Sequence, residues 1–199
     1  MKRDQPPKKS PLMQLLSEKS GDPSSQSDDA LQLDSIGCTA NVVLVDHNLK
    51  KIFVANAGDS RAVMAVGGTA VPLSFDHKPE NEIEIDRIHK AGSTVVDGRV
   101  DGNLNLTRAI GDLKYKQKDL PQEEHPITSN PDIFEYDLTE NVDFIIMGCD
   151  GVWEKLSNDE MVATVYKKLG DNPAKADLKN VVTELLNENL SPDFTQTSK

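Results

Sequence analysis

Long apolar runs, clustered basic residues and paired cysteines are what this 199-residue chain has least of. No apolar run approaches the roughly 20 residues that a membrane-spanning helix needs. Its 22 Lys and Arg against 33 Asp and Glu leave a formal net charge of −11. That balance argues against a nucleic-acid footprint, which requires clustered positive charge, and it suits a site that recruits divalent cations. The basic start MKRDQPPKKSP is not followed by an apolar stretch, so no secretory signal is visible. Cys38 and Cys149 lie in apolar, strand-like contexts with no CxxC partner. A disulfide framework is not expected, and a reducing compartment, cytoplasm or nucleus, is the default. His47, His77, His89 and His125 are scattered and show no zinc-ligand spacing.

What the chain does have is punctuation. Residues 1 to 34 are rich in Pro, Ser, Lys and Asp and read as a disordered polar and acidic segment. From Ser35 onward, β-branched runs alternate with turn residues. CTANVVLVD and KIFVANAG are separated by His47-Asn48-Leu49-Lys50, a plausible hairpin. RAVMAV and TAVPL are joined by Gly67-Gly68, which suits the positive φ values of a tight turn. A helix follows: Pro79 suits its first turn, Glu80, Glu82 and Glu84 complement its dipole, and Gly92 suits its stop. Asp-Gly turns stand at 97–98 and 101–102, and a charged loop spans about 113 to 130. DIFEYDL and DFIIMGC read as two more strands. Ser157 and Glu160 form a capping-box pattern for a helix ending at Gly170. A last helix from about Ala174 to Asn189 carries Leu178, Val181, Val182, Leu185 and Leu186 on one face. Hairpins with a few helices predict an α+β fold with antiparallel sheets.

Three carboxylates follow apolar, strand-like segments: Asp59 after VANAG, Asp112 after LTRAIG and Asp150 after IIMGC. A carboxylate at the rim of a core is costly unless hydrogen bonds or a cation offset its desolvation. Carboxylates fixed at strand ends are suitable ligands for a hard divalent ion. A turn aspartate that accepts local backbone hydrogen bonds is the alternative for each.

Taken in order, VANAGDSRAV (54–63), DHKP (76–79), RIHKAG (87–92), GRVDGNLNLTRAIGD (98–112), ITSNPDI (127–133) and CDGVWEKLSNDEMV (149–162) resemble the metal-dependent serine/threonine protein phosphatases of type 2C. GCTANVVLV (37–45) resembles an early central strand of that family. The resemblance implies a β-sandwich of two antiparallel sheets flanked by helices, with a metal cluster in a cleft at one end. It implies magnesium or manganese, two or three ions in a complete domain, with metal-activated water attacking phosphoserine or phosphothreonine in protein substrates. Asp150 matches a ligand of the two-metal centre. Asp59 matches a residue of a weaker third site, and Glu154 stands where the family often has Asp for that site. Arg61 and Arg108 are expected to pair with carboxylates, His77 to satisfy its own loop, Asp112 to accept backbone hydrogens, and Trp153 to pack in the core. No catalytic side chain other than the metal ligands is assigned, and a monomer is expected.

The Asp-Gly-His-Gly-Gly segment of that family has no match here, nor do an earlier acidic residue, a phosphate-binding arginine and a closing Asp-Asn pair. Gly170-Asp171-Asn172 spells part of that ending but falls between two helices and precedes Pro173, where Asn172 reads as a helix N-cap. Residues 35–199 are therefore expected to be the central and C-terminal part of such a domain, and residues 1–34 an insertion within it. Two functions remain open at this point: a phosphatase present as a fragment lacking several metal ligands, or a catalytically inactive phosphatase-like scaffold or binding protein. A regulator that binds phosphoproteins through the basic loop KYKQK has only that charge run behind it.

Overall fold

The computed structural model describes residues 34–117, 119–170 and 173–189. The expectation for residues 1–33, like the N-cap expected at Asn172, lies outside the described residues. Strands β1 (Gly37–Cys38), β2 (Ala40–Asp46), β3 (Lys51–Ala57), β4 (Arg61–Val66) and β5 (Thr69–Pro72) come first. Helix α1 (Glu82–Lys90) follows, then the short strands β6 (Val95–Val96), β7 (Arg99–Val100) and β8 (Ile110–Gly111). Strands β9 (Asp132–Asp137) and β10 (Val142–Gly148) lead into α2 (Asp150–Trp153), α3 (Asn158–Leu169) and α4 (Leu178–Asn189).

The hairpins form where turn chemistry placed them. Asp46 closes the β2–β3 turn by accepting the amides of Asn48 and Leu49 at 2.8 and 2.9 Å. Gly67 and Gly68 take φ values of 55° and 88° between β4 and β5. Asp97-Gly98 and Asp101-Gly102 are likewise left-handed pairs. Two antiparallel three-stranded sheets result, ordered β2–β3–β9 and β10–β4–β5.

Alternation along the strands decides what each face meets. Ile52 and Val54 of β3 pack against Ala62 and Met64 of β4, with Leu73, Phe134 and Ile145 around them. Those residues fill the sandwich between the sheets. Val63 and Ala65 point the other way, onto Trp153, Met161, Val162 and Val165 of α2 and α3. The β10–β4–β5 sheet is thus covered on both faces. The outer face of the other sheet carries Val42, Leu44 and Ile133 in the open. A third cluster joins Ile88 of α1 to Val100, Ala109, Tyr115 and Ile127.

Two helices begin later than their sequence patterns suggest. Helix α1 starts at Glu82, three residues beyond Pro79. Residues 76–78 are bound to the β3–β4 loop, so the chain turns at Asn81, whose amide donates to Lys78 O, before it can coil. Helix α4 starts at Leu178, where Asp177 Oδ1 accepts the amides of Lys179 and Asn180. Its apolar face is also less covered than expected: Val181 is buried, whereas Leu178, Val182 and Leu186 are exposed. The capping box on α3 is present in both directions between Ser157 and Glu160.

Candidate functional site

β4 starts at Arg61 and β10 ends at Gly148, and these two residues are register partners. Asp59 lies two residues before one, Asp150 two residues after the other. The ladder therefore brings both carboxylates to one end of the same sheet, although 90 residues of chain separate them. Glu154 follows from the same end, at the C-cap of α2.

The β3–β4 turn is fixed from below by polar side chains. Gly58 has φ 121°, and a Cβ there would stand 2.4 Å from Thr39 Cγ2, so no side chain fits. Asn56, fully buried, donates to the carbonyls of Gly58 and Phe75 at 3.2 and 2.9 Å and accepts from Asn41 Nδ2. Asn41 also reaches Ser74 Oγ at 2.8 Å, and Ser74 Oγ accepts the amide of Ala62. The loop after β5 is bound onto this turn. His77 N donates to Gly58 O at 3.0 Å, and Gly58 N donates to His77 Nδ1 at 3.1 Å. Arg61 grips Asp76 with two bonds of 2.9 Å, donates to Asn158 Oδ1 on α3, and lies 5.4 Å over the ring of Trp153. The Asp76 hydrogen bonds raise the guanidinium pKa further, against the opposing effect of burial.

The three candidate ligands sit in unequal surroundings. Asp59 is 4% exposed, and its Oδ2 meets Lys78 Nζ at 2.5 Å. Asp150 is half-buried and accepts the amide of Gly151 at 2.8 Å. Glu154 is exposed. Magnesium and manganese take oxygen ligands, and these carboxylates have the right chemistry. Yet among the described residues no group of three or more His, Cys, Asp or Glu side chains stands close enough to hold an ion. The described residues do not by themselves make a metal centre.

The other motif residues fall as follows. Trp153 is buried in the helical core and donates through its indole to Gly148 O at 3.1 Å. Asp112 is left-handed at φ 49° and gives its turn no side-chain cap, contrary to the role expected from sequence. Its carboxylate packs against Gly37, where a Cβ would lie 2.0 Å from Oδ2, and burial raises its pKa against the pull of Lys116 and Lys114. Lys116 donates to the carbonyls of Ala109 and Ile127, and burial brings its pKa down to about 8, with Asp112 opposing.

Glu84 was invisible as a functional residue in the sequence. It is 2% exposed and binds Arg108 at 2.6 Å, Arg87 at 2.7 Å and Thr107 Oγ1 at 2.5 Å. Arg108 continues to Asp132 at 2.7 Å, and Asp132 to His77 Nε2 at 3.1 Å. Burial pushes the Glu84 and Asp132 carboxyls upward, but the bonds from Arg108, Thr107 and His77 outweigh it and leave both below their usual range. The signal that could have found Glu84 is its spacing: it precedes Ile88 by four residues, on the apolar stripe of α1. A cleft of about 500 Å³ borders this cluster, lined by Arg87, Arg108, Thr128, Asn130 and Asp132 among others. None of Asp59, Asp150 and Glu154 lines it. Its arginines are already engaged, Arg87 by Glu84 and the carbonyls of His125 and Thr107, so it is not a free anion pocket.

Comparison with known proteins gives this geometry a context. The profile of the family Protein phosphatase 2C matches residues 8–197. Probable protein phosphatase 2C 3 of Paramecium tetraurelia is 47% identical over 162 residues, which are 80% of this chain and 53% of the relative. Protein phosphatase 1G of Homo sapiens is 45% identical over 162 residues, 79% of this chain and 29% of the relative. A crystal structure of a phosphatase from Toxoplasma gondii superposes with a TM-score of 0.63 at 26% identity, covering 78% of this chain and 58% of that one. The chain thus spans about half or less of the length of the curated relatives it matches. It belongs to the protein phosphatase 2C family.

Proposed function

We propose that this chain is the central and C-terminal part of a protein serine/threonine phosphatase domain. The reaction is hydrolysis of a phosphoserine or phosphothreonine monoester. A water oxygen bonds to phosphorus, the P–O bond to the side chain breaks, and the serine or threonine oxygen leaves with a proton. The observation that carries this reading is the placement of Asp150 at the end of the β4–β10 ladder, in a chain 47% identical to a relative named as a protein phosphatase. Family membership brings magnesium or manganese as the expected cofactor, and the rest of the domain would have to supply further ligands. The setting we propose is the cytoplasm or nucleus, supported by two free, exposed cysteines.

The test is an assay of the purified chain on a phosphothreonine peptide with manganese or magnesium, alone and with the remaining portion of a family domain co-expressed. Turnover that appears only with the added portion, and is lost in Asp150→Ala, supports the proposal. Absence of turnover in both preparations, each shown to be folded, favours the second reading, a non-catalytic phosphatase-like scaffold. A specific observation stands behind that alternative: Asp59 is already neutralised from within the protein.

A further inference from the structure

A buried carboxylate needs a counter-charge, and the identity of that counter-charge decides what else can bind there. Asp59 is 4% exposed and its Oδ2 lies 2.5 Å from Lys78 Nζ. The lysine does not reach this point from a loose surface loop. Asp76 on one side of it is held by two bonds from Arg61, and His77 is held at Gly58 through both backbone and ring. On the other side, Lys78 O accepts the amide of Asn81. The backbone before the lysine is therefore anchored to the corner that carries Asp59, and the backbone after it closes a local turn at Asn81.

We infer that Lys78 is the resident cation of Asp59, and that it closes this carboxylate to a divalent ion in this chain. The resemblance gives Asp59 to a metal; the structure gives it an ammonium group. A magnesium or manganese ion at Oδ2 would put a double charge beside the Lys78 ammonium, in a place where little water screens the two. Metal can use Asp59 only after Lys78 swings away, and the 24% exposure of the lysine side chain leaves it a route to solvent. The contact is an internal guard on the site, set by one side chain.

The experiment follows binding and not turnover, so its outcome is separate from that of the phosphatase reading. Manganese binding to the 199-residue chain is measured by the loss of the free-ion electron paramagnetic resonance signal, for wild type and four variants. Asp59→Asn is expected to leave the wild-type isotherm unchanged, because the carboxylate is not in use. Lys78→Met is expected to gain weak manganese binding that wild type lacks, which disappears again when Asp59→Asn is added. Lys78→Arg, which keeps a cation at the position, is expected to bind as wild type does. Weaker manganese binding by Asp59→Asn in the presence of Lys78 overturns the proposal, and so does a folded Lys78→Met with a wild-type isotherm. Should Lys78→Met fail to fold, Lys78→Gln takes its place with the same outcomes: gained binding that Asp59→Asn removes supports the proposal, and a wild-type isotherm overturns it.

Discussion

Two sets of carboxylates in this molecule are treated in opposite ways. Glu84 and Asp132 are saturated by Arg87, Arg108, Thr107 and His77. Asp150 and Glu154, at the other set, are half-buried and exposed, and no ion pair of the described residues involves Asp150. Asp59 stands between them, buried like Glu84 and placed with the second set. The lesson is that Glu84 and Asp59, both buried, each meet an internal cation, whereas Asp150 and Glu154 at the end of the β4–β10 ladder meet none among the described residues. The first arrangement holds structure together. The second leaves oxygen atoms for something from outside.

Breaking the inner set should have the largest effect. Glu84→Ala leaves the largely buried Arg87 guanidinium without a carboxylate and Arg108 with Asp132 alone, and breaking such a buried pair typically costs about 3–5 kcal/mol; chemical denaturation should show the midpoint falling accordingly. A loss under about 1 kcal/mol would mean that water or other carbonyls replace Glu84 readily. Acid should have the next effect, through the same groups. The Glu84 and Asp132 pKa values are lowered in the fold, so their contribution is complete above the ordinary values of 4.5 and 3.8 and is lost as pH falls through the folded values. The melting temperature is therefore expected to drop below about pH 4.5, by about 2–4 °C for each kcal/mol lost, and Glu84→Gln should flatten that dependence.

On the side of the outer set, the strongest local support is the α3 cap. Ser157→Ala is expected to cost about 1 kcal/mol, the usual worth of an N-cap side chain, and thermal melting will read it. The smallest effect belongs to Asp150→Asn, within about 0.5 kcal/mol, because asparagine keeps an oxygen for the local bond from the Gly151 amide. A loss of 2 kcal/mol there would show that Asp150 is structural after all, and the contrast between the two sets would collapse.

The strands and turns were legible because their causes are local. Gly67-Gly68, Asp97-Gly98 and Asp101-Gly102 permit left-handed backbone, and Ser157 with Glu160 completes a cap within four residues. The pairing of Arg61 and Arg108 with carboxylates was legible in kind, though not in partner. What could not be read depends on contacts far along the chain. Glu84 looked like a dipole complement because Arg108 and Asp132 lie 24 and 48 residues further on. The start of α1 was misplaced because Asp76 and His77 are held by Arg61 and Gly58, which no helix signal announces. The expected face of α4 is half exposed because a helical stripe predicts that a face is apolar, not that a partner covers it.

Arg61 has a kinetic meaning beyond its bonds. Its guanidinium joins Asp76, 15 residues on, to Asn158, 97 residues on, over the ring of Trp153. Such a junction is assembled only after the intervening chain has been brought home, since loop closure must precede the contacts that reward it. The β2–β3 and β4–β5 hairpins can form early from neighbouring residues. The corner that gathers Asp59 and Asp150 is expected to form after them, so substitutions at Arg61 should speed unfolding more than they slow folding, which the two arms of a denaturant chevron would show.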